Sequence, residues 1–247
     1  MKLLAVDTAT LTASVAVVEL TDPVGAPVVR AAVDVATDAH SERLLPAIAD
    51  VIAAAGLAVG GLDAIAVGAG PGSFTGLRIG LATAKGLAFA AGRPLWLASS
   101  LGALAWDLAG VAAPGALVVP ALDARRGELY AGFYRRDGDG RLIAAAPERV
   151  LPPGELAAAI AAVDGGGAVE VAGDALTVHA AALTGLPEVV RRRTDVRATP
   201  SAIGVAVMAA TGDRADVLAH GAPAYIRPSE AEVMYPNGVP GALRKRP

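Results

Sequence analysis

The chain contains no cysteine and only three histidines, His40, His179 and His220, in 247 residues. The first absence excludes disulfides, thiol nucleophiles and Cys-ligated zinc. The second leaves no histidine pair at the three- or four-residue spacing of a helical metal site. Aromatic residues are scarce at 4%, although 54% of the chain is hydrophobic. A core of this composition is built mostly from Ala, Val and Leu. Apolar runs such as 51–62 and 108–122 are cut by charge, Pro or Gly before they reach the roughly 18 to 20 residues that span a bilayer. No membrane contact is expected. Four apolar residues between Lys2 and Asp7 are too few for the apolar region of an export signal, so a cytoplasmic location is expected. A net charge of −3 argues against a chain that grips nucleic acid unaided, because phosphate neutralisation supplies most non-specific affinity.

What is present is a repeated α/β pattern. Apolar or β-branched runs at 2–7, 13–20 and 28–35 read as strands, with turn chemistry at 21–25 between the last two. Ser41 is a natural N-cap, and Leu44, Leu45, Ile48, Ile52 and Ala55 then recur at helical spacing until Gly56. A strand from Ala64 to Val67, a glycine-rich turn and a helix to Ala91 follow, then a short strand at 95–98 and a helix at 100–109. The loop 110–115 marks a boundary, after which three strands (116–123, 129–135 and 142–150) and a helix at 153–163 restart the pattern, with an Asp-Gly-Asp-Gly hairpin at 137–140. The expected division is a first lobe at 1–110, a second at 111–232 whose last helix packs back on the first, and a flexible tail at 233–247.

The turn 68–80, Gly-Ala-Gly-Pro-Gly-Ser-Phe-Thr-Gly-Leu-Arg-Ile-Gly, carries the most information. It joins a strand to a helix, where backbone N–H groups can receive phosphate. It lacks the Gly-Lys-Ser/Thr ending of a P-loop and the Gly-x-Gly-x-x-Gly of a dinucleotide fold. Small residues recur instead at every fourth position, Gly76, Gly80, Ala84 and Ala88, forming one stripe of a helix that lets a neighbour approach closely. The expectation is that a partner helix meets this stripe; the alternative is that it packs inward on the chain's own sheet.

This turn, with Ala84-Lys85-Gly86-Leu87-Ala88 after it, resembles the signature of the TsaB (YeaZ) family. Four other segments agree: 1–9 (Met-Lys-Leu-Leu-Ala-Val-Asp-Thr-Ala), 40–46 (His-Ser-Glu-Arg-Leu-Leu-Pro), 123–130 (Asp-Ala-Arg-Arg-Gly-Glu-Leu-Tyr) and 223–227 (Pro-Ala-Tyr-Ile-Arg). The resemblance spans about residues 1–232. It implies an actin-like, Hsp70-like ATPase (ASKHA) fold of two lobes, each with a mixed sheet flanked by helices. It also implies a non-catalytic subunit of the complex that transfers a threonylcarbamoyl group to N6 of adenosine 37 in tRNA. The implied partners are the metal-bearing TsaD transferase and the TsaE ATPase, with tRNA held mainly through the complex and a homodimer when the chain is alone. The paralogue TsaD holds its metal with a His-x-x-x-His helix after a Pro-Leu strand; here Ser100 and Leu104 stand at those two positions.

The partner-binding residues expected on this basis are Ser41, Leu44, Leu45, Ile48, Ile52, Ser73, Phe74, Thr75, Gly76, Arg78, Ile79, Gly80, Thr83 and Ala84. No cofactor bound by this chain alone and no metal are expected. ATP or ADP is placed, weakly, at the subunit junction, with Asp7, Thr8, Asp123 and Arg125 as candidates because carboxylates at these strand ends hold metal and water in actin-like ATPases. The competing reading is that Asp and Thr there make local turn and cap hydrogen bonds. The rival function is an independent ATPase or sugar-kinase-like enzyme, which lacks a clear adenosine motif in the last third of the chain. A peptidase has neither a Gly-x-Ser-x-Gly elbow nor paired histidines, and His40-Ser41-Glu42 is too local to make a triad.

Overall fold

The computed structural model describes residues 1–21, 26–36 and 40–226, without the side chains of His40 and Ser41. The turn at 21–25, the Ser41 cap, Arg227 and the tail therefore lie wholly or partly outside the described residues.

The chain runs β1 (Lys2–Asp7), β2 (Thr12–Glu19), β3 (Val28–Ala36), α1 (His40–Ala54), β4 (Ala64–Gly68), α2 (Phe74–Ala91), β5 (Leu95–Ala98) and α3 (Ser100–Ala109). It then repeats the plan as β6 (Leu117–Arg125), β7 (Glu128–Arg136), β8 (Leu142–Leu151), α4 (Leu156–Ala161), β9 (Val169–Ala172), α5 (Ala175–Val178), β10 (Val190–Arg192) and α6 (Ala202–Thr211). The two five-stranded sheets have the same order, β3-β2-β1-β4-β5 and β8-β7-β6-β9-β10. In each, the first three strands are antiparallel and the fourth and fifth add in parallel. This duplicated three-strand meander with parallel extensions is the actin-like ATPase fold.

The central strands β1 and β4 read as unbroken apolar runs because helices cover both faces of the first sheet. One face meets α1 and α2 through Leu4, Val6, Leu44, Ile48, Ile52, Ile65 and Leu81. The other face is covered by α6, whose Ala and Val side chains pack on Leu3, Ala5, Ala64 and Ala66. The helix that closes the second unit thus serves the first sheet, while α3, which closes the first unit, packs on β6 and β7 of the second. The two helices cross at Gly204, where a Cβ would sit 2.4 Å from the Ala103 carbonyl oxygen. This crossing locks one lobe to the other.

Three helices start with the same device. Ser73, Ser99 and Ser201 each accept the N–H of a glycine three residues on, Gly76, Gly102 and Gly204. The Ser73 cap starts α2 at Phe74, within the glycine-rich turn. The helix expected at 153–163 shrinks to α4 because it begins as a 3-10 turn at Pro153–Glu155 and frays after Ala161.

Candidate functional site

At the end of β1, Asp7 and Thr8 are wholly buried. Ser100, the first residue of α3, donates its hydroxyl to Asp7 Oδ2 at 2.6 Å, and the Ala9 N–H donates to Oδ1 at 2.9 Å. The Ser100 hydroxyl also accepts the Gly70 N–H at 3.2 Å. A side chain at Gly68 would overlap the carboxylate, with its Cβ 1.9 Å from Oδ2, so β4 closes over Asp7. Burial raises the Asp7 pKa to about 6, against the lowering effect of the Ser100 and Ala9 hydrogen bonds. Thr8 donates its hydroxyl to the Gly76 carbonyl of α2 at 2.8 Å. Asp7 and Thr8, expected to line a nucleotide site, instead tie β1 to α3 and α2, and neither reaches a surface.

Asp123 is also held internally. Its Oδ1 lies 3.1 Å from His179 Nε2 and accepts the Arg125 N–H at 2.9 Å, while its own N–H donates to Asp174 Oδ1 at 2.8 Å. Arg125 stays exposed, 3.5 Å from Asp123 Oδ2, in the left-handed region with φ 64°. His179, distant in sequence from every candidate, comes to Asp123 because α5 sits at the end of β6.

The positions at which the resemblance puts metal ligands in the paralogue are taken up by the chain's own structure. Ser100 holds Asp7, and Leu104 lies in an apolar cluster with Leu101, Leu122, Ala124 and Tyr130. Among the described residues, no group of three His, Asp or Glu side chains could hold a metal ion.

The expected partner surface divides in two. Gly76, Gly80 and Ala84 are buried, and the small-residue stripe faces inward: a Cβ would lie 2.1 Å from the Thr8 carbonyl oxygen at Gly76 and 2.1 Å from Thr8 Oγ1 at Gly80. The neighbour that needs close approach is β1, not a partner helix. Leu44, Ile48 and Ile52 are likewise core residues of α1, and Ile79 packs half-buried against the same core. Leu44, Ile48 and Ile52 are therefore spent on the chain's own core, while Ile79 keeps part of its surface exposed. The outward side of the two helices carries Leu45 (53% exposed), Phe74 (39%), Thr75, Arg78 and, at the far end, Phe89 (80%). Ser73 is exposed with its hydroxyl spent on the cap, and Thr83 is half-buried. Along α2 the outer positions 74, 78, 82, 85 and 89 recur in steps of three or four residues, the spacing of one helix side. The sequence places Phe74 and Arg78 on the partner surface but not Ala82, Lys85 and Phe89, which continue the seam along α2. Asp107 is a further, partly buried carboxylate; it accepts the Ser201 hydroxyl at 2.7 Å, and desolvation raises its pKa to about 6.

Comparisons with known proteins converge on one family. The model described as TsaD, tRNA N6-adenosine threonylcarbamoyltransferase, matches residues 34–235. The Escherichia coli tRNA threonylcarbamoyladenosine biosynthesis protein TsaB is 38% identical over 156 residues, 62% of this chain and 63% of that protein. An uncharacterised Mycobacterium tuberculosis protein is 36% identical over 229 residues, 93% of each chain. YeaZ from Pseudomonas aeruginosa superimposes with a TM-score of 0.70 at 32% identity, covering 84% of this chain and 90% of that one. A second Pseudomonas aeruginosa structure, described as similar to peptidase YeaZ, gives 0.75 at 31%, covering 92% and 99%. Matching the threonylcarbamoyltransferase model over most of its length and YeaZ over nearly all of its fold, the chain belongs to the TsaB (YeaZ) family.

Proposed function

We propose that this chain is a non-catalytic scaffold subunit of the assembly that places a threonylcarbamoyl group on N6 of adenosine 37, in tRNAs that read codons beginning with A. It acts by pairing with the TsaD transferase, with the TsaE ATPase joining, in the cytoplasm. The reading is supported by the names of its curated relatives, tRNA threonylcarbamoyladenosine biosynthesis proteins. The observation that carries the non-catalytic part is α3. Where a transferase of this fold would present metal ligands, Ser100 is spent on Asp7 and Leu104 on the core.

The same burial disfavours an independent ATPase or sugar kinase, since Asp7 would have to leave Ser100 and break through β4 to reach a metal-bound phosphate. Nucleotide at the subunit junction would rely on Arg125 and the edge of Asp123, and is weak for the chain alone, with a Kd no tighter than high micromolar, about −5 to −6 kcal/mol. Pairing uses the outer seam of α2 and Leu45 of α1, and self-pairing through the same face is the alternative when the transferase is missing.

The deciding assay supplies tRNA transcript and threonylcarbamoyl-adenylate to three samples: this chain, the TsaD partner, and both. Modified adenosine from the mixture alone, or from the mixture well above the partner, is expected. Modified adenosine made by this chain without the partner would refute the reading, as would a partner indifferent to its addition.

A further inference from the structure

Residues 222–226 cross from one lobe to the other over the start of α2. The Ala224 N–H donates to the Ala69 carbonyl at 2.7 Å, pinning this segment to the glycine-rich turn. Ile226 packs against the cluster of Leu101, Leu104, Leu122, Ala124 and Tyr130, beneath the second lobe. Between these two points Tyr225 turns outward and stays 43% exposed. Its ring lies 5.2 Å from that of Phe74. Its hydroxyl accepts the Arg78 Nε–H at 3.1 Å, and the Arg78 guanidinium stacks over Phe74 at 3.8 Å from the ring centroid. A flexible arginine is thus fixed from below by an aromatic face and from the side by a hydroxyl, on the seam where pairing is proposed. Among the described residues its two terminal NH2 groups have no hydrogen-bond partner, and no carboxylate lies within 4 Å of them.

We propose that Arg78 is the anchor of the pairing face: held by Phe74 and Tyr225, it receives a carboxylate from a helix of the partner subunit. The proposal rests on the pairing reading above. Charge and shape favour this occupant. The α2 sequence contains no Asp or Glu and presents Arg78 and Lys85 on one side, so it complements an acidic helix. Phe74 beside it and Phe89 at the far end of α2 are large exposed apolar groups that a protein buries and a phosphate backbone does not. A guanidinium whose plane is already set, and whose terminal nitrogens have no partner among the described residues, makes a bidentate carboxylate contact at little further entropic cost. Tyr225 is a positioning residue, since it acts through Arg78.

The test is a titration of full-length chain against the purified TsaD partner, at two salt concentrations, for wild type, Arg78→Ala, Tyr225→Phe and the double variant. Arg78→Ala is expected to weaken association about tenfold or more, as a desolvated arginine anchor does. Tyr225→Phe keeps the ring and loses only the hydroxyl, and is expected to cost about threefold. The double variant should be no worse than Arg78→Ala alone, and the salt dependence of association should fall with either Arg78 variant. Melting temperatures should stay close to wild type, which separates lost contact from lost fold. Full affinity in Arg78→Ala would overturn the anchor while leaving pairing intact. Additive losses would overturn the positioning role of Tyr225. Normal pairing with weakened tRNA binding by the assembled pair would mean that the guanidinium takes a phosphate. Absence of pairing by the wild type itself would overturn the functional reading and the anchor together.

Discussion

Replacing Gly80 by alanine tests the inward direction of the small-residue stripe. Alanine is the better helix former by roughly 1 kcal/mol, so on an outward face this change would raise stability. The structure gives the opposite sign. The new Cβ would lie 2.1 Å from Thr8 Oγ1 and 3.3 Å from Thr8 Cβ and Cγ2. Thr8 is buried and its hydroxyl already donates to the Gly76 carbonyl, so it can clear the overlap only by rotating and breaking that bond, or by α2 moving off β1. Overpacking of this kind costs about 1 to 3 kcal/mol, and an unmade buried hydrogen bond a similar amount. After the helix-propensity gain, a net loss of about 2 kcal/mol remains, which in a domain of this size lowers Tm by about 4–8 °C. Thermal and urea unfolding measure it. Thr8→Ala should lose stability alone yet make Gly80→Ala less harmful, because it removes the atoms that clash. A Gly80→Ala protein as stable as wild type or more so, with partner association lost, would refute the inward assignment and restore the stripe as an interface.

Other outcomes follow from the buried polar groups. Asp7 and Asp107 have folded-state pKa values near 6, above their ordinary value of 3.8, so their protonated forms favour the folded state. That contribution is complete below about pH 4 and is lost as pH rises through 6; stability should therefore increase by about 1 kcal/mol per group between pH 7.5 and 5. Urea unfolding at the two pH values checks this, and Asp7→Asn should remove its share of the slope; a fall in stability towards pH 5 would contradict it. Ser100→Ala leaves Asp7 Oδ2 and the Gly70 N–H without their partner and is expected to cost about 2 to 3 kcal/mol in unfolding free energy, with no gain of metal binding by calorimetry. His179→Ala strips the imidazole from Asp123 Oδ1 and should cost about 1 kcal/mol; if it instead abolished assembled-complex activity at full stability, the pair would belong to the chemistry.

Local elements were readable where a single physical rule decided them. The alternation and apolar runs at 2–7, 95–98 and 142–151 form strands, and Ser100–Ala109 forms a helix, because propensity, caps and turn residues agree there. The repeated unit of three strands and a helix is legible as a duplicated α/β pattern, and the family resemblance gives it the actin-like reading. The weak elements β9, β10 and α5, three or four residues each, were not legible, since so few residues carry no period and exist only through pairing with β6 or packing beneath it. Helix α6 is legible only as an unplaced last helix of the second lobe, and its bounds are not, for another reason. Its Ala-Ile-Gly-Val-Ala-Val-Met-Ala-Ala-Thr sequence is buried almost all round, so it has no polar face to reveal a period of 3.6.

The sequence by itself therefore determined the fold class, the family signature and the absence of histidine at Ser100 and Leu104, because each is written in residue type and local spacing. Only the tertiary structure decided which way those residues face. A stripe of small side chains states that something comes close, but the rotation of α2 about its axis is set by β1 and Thr8, which are 68 residues from Gly76 in the chain. The same holds for Asp7, whose fate depends on Ser100, 93 residues away, and for Arg78, which is fixed by Tyr225 across 147. Contacts at such separations leave no periodic trace along the chain, since they arise from how lobes and helices pack rather than from any local preference.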